Sequence, residues 1–412
     1  MDRAAAVTMD LADPLAPYRS QFAVAGPIYL DGNSLGRPSA SVAEGLAAAV
    51  RDWSENLVGG WSRWIDLPAA VGDRVGRLIG AGPGQVVVCD STTVNLYKLA
   101  AASLAARPDR RVILADADDF PTDRYVLQGL AETSGRELRL LHGSAIDGLD
   151  SEVVGSAIDA DTALVCLSHV NFRSGARLDL AAITEAAHRH GALVLWDLCH
   201  SAGAIPVGLD EAGADLAVGC TYKYLNGGPG SPAFAYVRRG LQVQLRQPVW
   251  GWFGQQDQFA MGPRYQPAPG IDAFLTGTPQ IIGTVAVLEG ARLLGEAGIG
   301  RLRAKGIALT GYLISLADEW LAPDGFTLAS PREDRRRGSH VCLRHPDAWR
   351  ISQALIRAGV VGDYRSPDRL RLGPAPITTA FTDVWDALDT LRSIAADPAS
   401  YAGLPAEAAR VT

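Results

Sequence analysis

The chain has 412 residues, 48% of them hydrophobic and 20% charged, with a formal net charge of −7. That length calls for two or three domains, or one large α/β domain with an appendage, and the composition is that of a soluble globular protein. The acidic balance and the lack of any lysine-rich stretch argue against nucleic acid as a partner. No run of about 18 apolar residues offers a membrane span, and the N-terminus has no basic region leading into an apolar core, so no signal peptide is expected. The five cysteines, Cys89, Cys166, Cys199, Cys220 and Cys342, show no metal-ligand spacing. Four lie in or just after apolar runs, where a free thiol is a small hydrophobe. A reducing cytoplasm is the expected compartment, and no metal is expected. The basic cluster Arg335-Arg336-Arg337 follows Glu333 and Asp334 and reads as a solvated loop.

In chain order, residues 85–89 read as a strand and 94–106 as a helix. Strand 111–115, helix 122–134, strand 163–167, helix 180–190 and strand 192–196 follow, then strands 215–220 and 233–237. Continuous apolar strands alternating with helices predict a mostly parallel sheet covered on both faces. Such a sheet binds ligands at the carboxyl ends of its strands. Over residues 247–279 the pattern stops; Trp250, Trp252, Phe253, Phe259, Tyr265 and Phe274 stand among glycines and prolines. A structureless stretch of that length is usually functional. Helices over 283–294 and 301–321 come next, then a C-terminal α+β segment. The expected division is a large domain over 46–285, with 1–45 and 286–412 supplying an N-terminal segment and a smaller C-terminal domain.

Of 38 basic residues only three are lysines, Lys98, Lys223 and Lys305. Lys223 follows the apolar run 216–220 and precedes the turn Asn226-Gly227-Gly228-Pro229-Gly230. Arginine stays protonated, whereas a lysine amine forms a Schiff base when its pKa is lowered. Taken alone, Lys223 would be a solvated turn residue. Upstream, however, strand 192–196 ends at Asp197, followed by Leu198-Cys199-His200. Alone, Asp197 would be a helix cap and His200 a structural histidine. Together, an aspartate for a pyridinium nitrogen and a Schiff-base lysine on one crevice are what pyridoxal phosphate requires. Asp90-Ser91-Thr92-Thr93-Val94-Asn95 ends a strand and opens a helix, whose free N–H groups and hydroxyls suit a phosphate, although Ser/Thr there is also the ordinary cap. No Walker or GxGxxG pattern occurs in such a context, which disfavours nucleotides. Phe120-Pro121-Thr122-Asp123 brings an aromatic ring to the same sheet edge, where it suits stacking on a cofactor.

These strings, together with Tyr29-Leu30-Asp31-Gly32-Asn33-Ser34-Leu35-Gly36, Trp250-Gly251-Trp252 and Leu370-Arg371-Leu372-Gly373-Pro374-Ala375-Pro376, resemble the kynureninases over residues 25–390. Those are fold-type-I pyridoxal-phosphate enzymes of the aminotransferase superfamily. The resemblance implies an α/β fold: a large domain with a mostly parallel seven-stranded sheet between helices, plus a smaller α+β domain. It implies a pyridoxal 5'-phosphate cofactor, a kynurenine-type amino-acid substrate and a homodimer with shared active sites. Residue by residue, it implies that Lys223 carries the cofactor, Asp197 holds its pyridine nitrogen and Phe120 stacks on its ring. Thr92, Thr93 and Tyr222 would contact the phosphate, while Asp123, Ser168 and His200 line the cofactor. Trp252 and Thr278 would come from the neighbouring subunit. Arg371 would grip the substrate carboxylate in a task suited to guanidinium, with Asn33, Ser34, Trp64, Gly277 and Thr278 beside the substrate. Tyr222 would relay a proton. Many kynureninases carry asparagine at the position of Thr278 and histidine at that of Trp64; the combination here resembles bacterial members that prefer unhydroxylated kynurenine.

The implied reaction is hydrolysis of L-kynurenine to anthranilate and L-alanine by Cβ–Cγ cleavage, as in tryptophan catabolism. An aminotransferase and a cysteine desulfurase share the fold. The latter needs a reactive cysteine on a mobile loop, and Cys342 lies in an alternating, strand-like run where burial is expected. An idle cofactor-binding protein is a third reading, opposed by the joint presence of Lys223, Asp197 and Arg371.

Overall fold

Runs of Val, Leu and Ile with no interior charge build the centre of this protein. The computed structural model describes residues 2–405; Met1 and residues 406–412, the outer ends of the expected domain division, lie outside the described residues. A short strand, β1 (Ile28–Tyr29), precedes a seven-stranded sheet made of β2 (Val86–Val88), β3 (Val112–Asp116), β4 (Glu137–Leu141), β5 (Thr162–Ser168), β6 (Leu193–Asp197), β7 (Leu216–Gly219) and β8 (Phe234–Val237). The spatial order is β2-β8-β7-β6-β5-β3-β4. Only β8 runs against the rest, pairing antiparallel with β2 and β7; β4, β3, β5, β6 and β7 are parallel. The strand period of two sorts the core onto two faces. Leu114, Val165, Leu167, Val194 and Trp196 pack on one side, Ile113, Leu164, Cys166, Leu193 and Leu195 on the other.

The remaining strands form a smaller unit. β9 (Thr327–Leu328), β10 (Val341–Arg344), β12 (Asp363–Arg365) and β13 (Arg369–Leu372) make an antiparallel sheet in the order β12-β13-β10-β9, and β11 (Val360–Val361) pairs in parallel with β1. Helices Ile299–Trp320, Ala348–Arg357 and Phe381–Ala395 cover it. The N-terminal segment is therefore tied to the small unit at β1. It then crosses to the large one: Gly36 N donates to the Tyr222 carbonyl at 2.8 Å. A Cβ at Gly36 would run into the Lys223 carbonyl and the Asn226 side chain.

The segment 247–279 contains only short 3-10 turns, in keeping with its sequence. Two expectations change. β4 and the helix Ser151–Ala157 were not expected; β4 is an edge strand whose Glu137 and Arg139 break the apolar pattern, as edge strands often do. The Arg335–Arg337 cluster is not wholly solvated either. Arg337 is buried and donates to the carbonyls of Pro331 and Arg332 at 2.7 and 2.6 Å and to Asp334 at 2.7 Å. The loop closes over this guanidinium because its own carbonyls turn inward and need donors. All five cysteines are free and buried. No helix among the described residues is long and apolar enough to cross a membrane.

Candidate active site

The carboxyl ends of β5, β6 and β7 bring Ser168, Asp197 and the turn carrying Lys223 to one edge of the sheet. Ser168 and Asp197 are cross-strand partners. Asp197 Oδ1 accepts from Cys199 N at 2.6 Å, so the loop after the strand locks this carboxylate in place. Two more carboxyls converge on it. Asp119 accepts from Ser168 N at 2.9 Å and from the Ser168 hydroxyl. Asp123, in the first turn of the helix Pro121–Ser134, is buried and its Oδ2 has no partner. Burial pushes Asp119 up to about 7, against the pull of its Ser168 hydrogen bond. Burial, then the charges of Asp197 and Asp119, push Asp123 well above the carboxylate range.

Lys223 is half-buried, with Nζ 3.3 Å from His200 Nε2 and 5.9 Å from the Tyr222 ring centroid. Burial, then the charge of Lys223, depress the basicity of His200, so this imidazole is neutral. Burial keeps the Tyr222 hydroxyl protonated, pushing its pKa up. At the next strand end, Asp90 adopts a left-handed backbone (φ 50°) and Ser91 caps the helix Thr92–Ala105 through Val94 N. Thr92 and Thr93 thus occupy the first turn, beside free N–H groups. Thr92 Oγ1 lies 3.9 Å from Cys199 Sγ, on the same side as the Asp197 loop. Phe120, 40% exposed despite its size, meets Phe172 edge-on at 5.3 Å and leaves a ring face open.

Arg371, on β13, is 1% exposed. Its Nη1 donates to the Phe172 carbonyl at 2.6 Å and its Nη2 to Ser34 Oγ at 2.8 Å and to Asp363. With its amide oxygen turned to the guanidinium, Asn33 accepts from Nε at 2.9 Å and Nη2 at 3.1 Å. Asn33, Ser34 and Arg371 therefore meet, and one N–H at Nη1 has no acceptor among the described residues.

Trp252 and Thr278 contact each other. Trp252 Nε1 donates to Thr278 Oγ1 at 3.3 Å, and the rings around Trp252 are Phe253 and Phe259. Trp64 contacts Trp61, which leans on Phe253, so it shares that aromatic surface rather than the surroundings of Arg371. Space around Gly277 is open. A buried lysine links this segment to the helix start. Lys98 Nζ lies 2.6 Å from Asp90 Oδ2 and 2.7 Å from the Phe274 carbonyl, while Thr276 donates to Asp90 Oδ1 at 3.0 Å. Lys305 is spent in a second buried pair, 2.6 Å from Asp13.

Sequence reasoning missed Asp119, Asp363, Lys98 as a linker, and His340. Asp119 stands directly before the singled-out Phe120, a signal that was available; nothing local marks the others.

Pyridoxal phosphate fits these residues. The buried Asp123 oxygen without a partner among the described residues, beside Asp119 and Asp197, marks a crowded carboxyl cluster whose charge a protonated ring nitrogen would offset. The helix N-terminus suits a phosphate, and Lys223 is the one lysine not held in an ion pair among the described residues. A strand-end lysine, a facing aspartate and a helix-start anion seat on a mostly parallel seven-stranded sheet define a fold-type-I pyridoxal-phosphate enzyme. Solved structures agree on the fold. A cysteine desulfurase from Thermococcus onnurineus NA1 superposes with a TM-score of 0.79 at 19% identity, covering 90% of this chain and 95% of that one. A cysteine desulfurase from Escherichia coli gives 0.79 and 19%, covering 93% and 98%. C-DES, in a structure with glycine covalently linked to its pyridoxal-phosphate cofactor, gives 0.78 and 19%, covering 91% and 98%.

The kynureninase C-terminal domain matches residues 302–391. The chain is 46% identical over 398 residues to a kynureninase of Pseudomonas fluorescens, covering 94% of each, and 44% identical over 402 residues to one of Burkholderia pseudomallei (strain 1106a), covering 95% of each. This chain belongs to the kynureninase family. The desulfurase reading finds no thiol to use at Cys342: it is buried in β10, its Sγ 2.6 Å from the Arg173 carbonyl, and burial pushes it up to about 12.

Proposed function

We propose that the protein hydrolyses L-kynurenine to anthranilate and L-alanine, with pyridoxal phosphate held at Lys223. The observation that carries this is the meeting of Lys223, the Asp197 carboxylate cluster and the buried Arg371 clamp on one crevice, in a chain of this family. The cofactor, when bound, supplies an electron sink for charge developing at the substrate Cα. The protein's residues do the rest. Arg371 and its Asn33–Ser34 cradle hold the α-carboxylate and so orient the Cα–H bond. Lys223 Nζ takes that proton and returns it, as a general base beside the neutral His200. Asp197, held by Cys199 N, would keep a proton on the ring nitrogen, and Asp123, Ser168, His200 and Phe120 are the residues that would hold the ring. Thr92, Thr93 and Tyr222 seat the phosphate, and the protonated Tyr222 hydroxyl serves as relay during Cβ–Cγ cleavage by water.

The active unit in this reading is a homodimer. The aromatic surface of Trp64 and Trp252, with Gly277 and Thr278, faces the neighbouring subunit's site and favours unhydroxylated kynurenine. Trp252 pairs with Thr278 and with its own aromatic neighbours, which supports it. The large unit spans 46–285, and the enzyme works in cytoplasmic tryptophan catabolism. Incubation of the cofactor-loaded protein with L-kynurenine tests the reading: anthranilate fluorescence and stoichiometric L-alanine are expected. Formation of a keto acid without anthranilate would make it an aminotransferase instead.

A further inference from the structure

His340, which enters β10, is a fully buried histidine with no hydrogen-bond partner at either ring nitrogen. The Asn171 backbone lies near the ring and favours its protonated form, the smallest of the influences on it, but no hydrogen bond of ordinary distance and angle forms among the described residues. Buried polar atoms left unpaired in a native protein are uncommon and point to a missing group. The surroundings say which kind. Strand alternation puts His340 on the face of Cys342, and Cys342 is the cross-strand partner of Arg371, so His340 and Arg371 share one face of the small sheet. The His340 ring lies 5.5 Å from that of His200, whose Nε2 touches Lys223. Gly175, at φ 73°, packs directly beneath it; a Cβ there would come within 2.8 Å of the His340 carbonyl and 3.2 Å of Nε2. The imidazole is thus fixed between the lysine and the carboxylate clamp.

Charge and donor supply point the same way. Arg371, Arg365 and Lys223 all bear on this ring, while Asp363 already accepts from both arginines. Arg371 has spent most of its donors on Phe172, Ser34, Asp363 and Asn33, leaving one N–H at Nη1. A carboxylate bound there receives one hydrogen bond from Arg371 and lacks a second donor. We propose that His340 supplies it: a further substrate-binding residue whose ring N–H donates to the α-carboxylate of the amino-acid substrate. Because neither nitrogen is committed, the incoming anion selects the donating tautomer. The inference rests on the reading of Arg371 as the carboxylate clamp.

The test pairs two variants with two ligands. His340→Phe keeps the ring's bulk over Gly175 without a donor, and His340→Gln keeps an N–H. L-alanine carries the carboxylate; L-alaninamide does not. Both are titrated into the cofactor-loaded protein by the change in its visible spectrum. His340→Phe is expected to weaken L-alanine about tenfold, the worth of one charge-assisted hydrogen bond, to leave L-alaninamide within about twofold, and to raise KM for kynurenine more than it lowers kcat. His340→Gln should recover most of the L-alanine affinity. Equal losses for both ligands, no loss for either, a glutamine variant as weak as phenylalanine, or a wild type indifferent to the ligand's carboxylate would each overturn the proposal. Failure of the wild type to make anthranilate would instead sink the hydrolase reading, since the alanine comparison does not depend on it.

Discussion

Replacing Lys98 by methionine leaves a flexible chain of similar reach in the helix Thr92–Ala105 but removes the cation that holds Asp90. The side chain is wholly buried, 2.6 Å from Asp90 Oδ2 and 2.7 Å from the Phe274 carbonyl. Removing one partner of a buried pair costs about 3–5 kcal/mol, because the other charge is stranded. Asp90 keeps 18% of its side-chain exposure, and water screens part of that charge, so the lower end, about 3 kcal/mol, is expected. The loss should be felt in two places. Asp90 sits just before Ser91, Thr92 and Thr93, and its other oxygen accepts from Thr276, two residues before Thr278. Urea unfolding of the apoprotein, followed by tryptophan fluorescence, should show a lower midpoint, and equilibrium titration should show weaker binding of pyridoxal phosphate. Adding Asp90→Asn removes the stranded charge yet keeps an acceptor for Thr276, so the double variant should regain half or more of the lost stability. A Lys98→Met protein within about 1 kcal/mol of wild type, or a double variant no better than the single, would refute the argument.

Lys223→Ala should fold and show neither the visible absorbance of the lysine imine nor more than a trace of anthranilate production, because the other two lysines are locked in ion pairs; a spectrum like that of wild type would remove Lys223 from its role. Arg371→Lys should lower kcat/KM at least about tenfold, since a point charge cannot keep the bonds to Phe172, Ser34 and Asn33 while orienting a ligand; steady-state kinetics showing less than about a threefold change would contradict this. Asp119 gives a pH signature. Its carboxyl titrates near 3.8 when unfolded and at about 7 when folded, so between those values the folded state holds the extra proton and stability from this group falls as pH rises. Asp119→Asn should therefore gain apoprotein stability relative to wild type as pH goes from 5 to 7.5, a comparison that cancels the buried histidines; an unchanged difference in urea midpoint would show that Asp119 is not held protonated.

The apolar runs made the large sheet readable, because a strand covered on both faces needs Val, Leu and Ile in succession. The pairing of Asp197 with Lys223 was readable for a related reason: both follow such runs and so must reach the same sheet edge. β4 was not, since an edge strand tolerates Glu137 and Arg139. Arg337 was misread because burial of a guanidinium depends on carbonyls gathered by a loop's path, which residue type does not encode. The motif around Phe120 marks Asp119 and Asp123 locally, but their approach to Asp197, and that of His340 to Arg371, joins segments far apart in the chain. Trp64, which the family likeness set beside the substrate, stands on the aromatic surface with Trp252, a placement that composition could not supply.

The distribution of lysine has a practical side. Lys98 has no exposed side-chain surface, Lys305 has 4%, and both are neutralised by aspartates; the outer cations are guanidinium groups. Acylating reagents, reductive methylation and glutaraldehyde attack amines, not guanidinium, so among the described side chains they find Lys223. With Lys223 as the proposed cofactor lysine, side-chain amine labelling of the apoprotein amounts to active-site titration, and coupling to an amine-reactive support would inactivate whatever it captured through a side chain. An exposed arginine such as Arg335 exchanged for lysine would provide a harmless handle, with its charge unchanged.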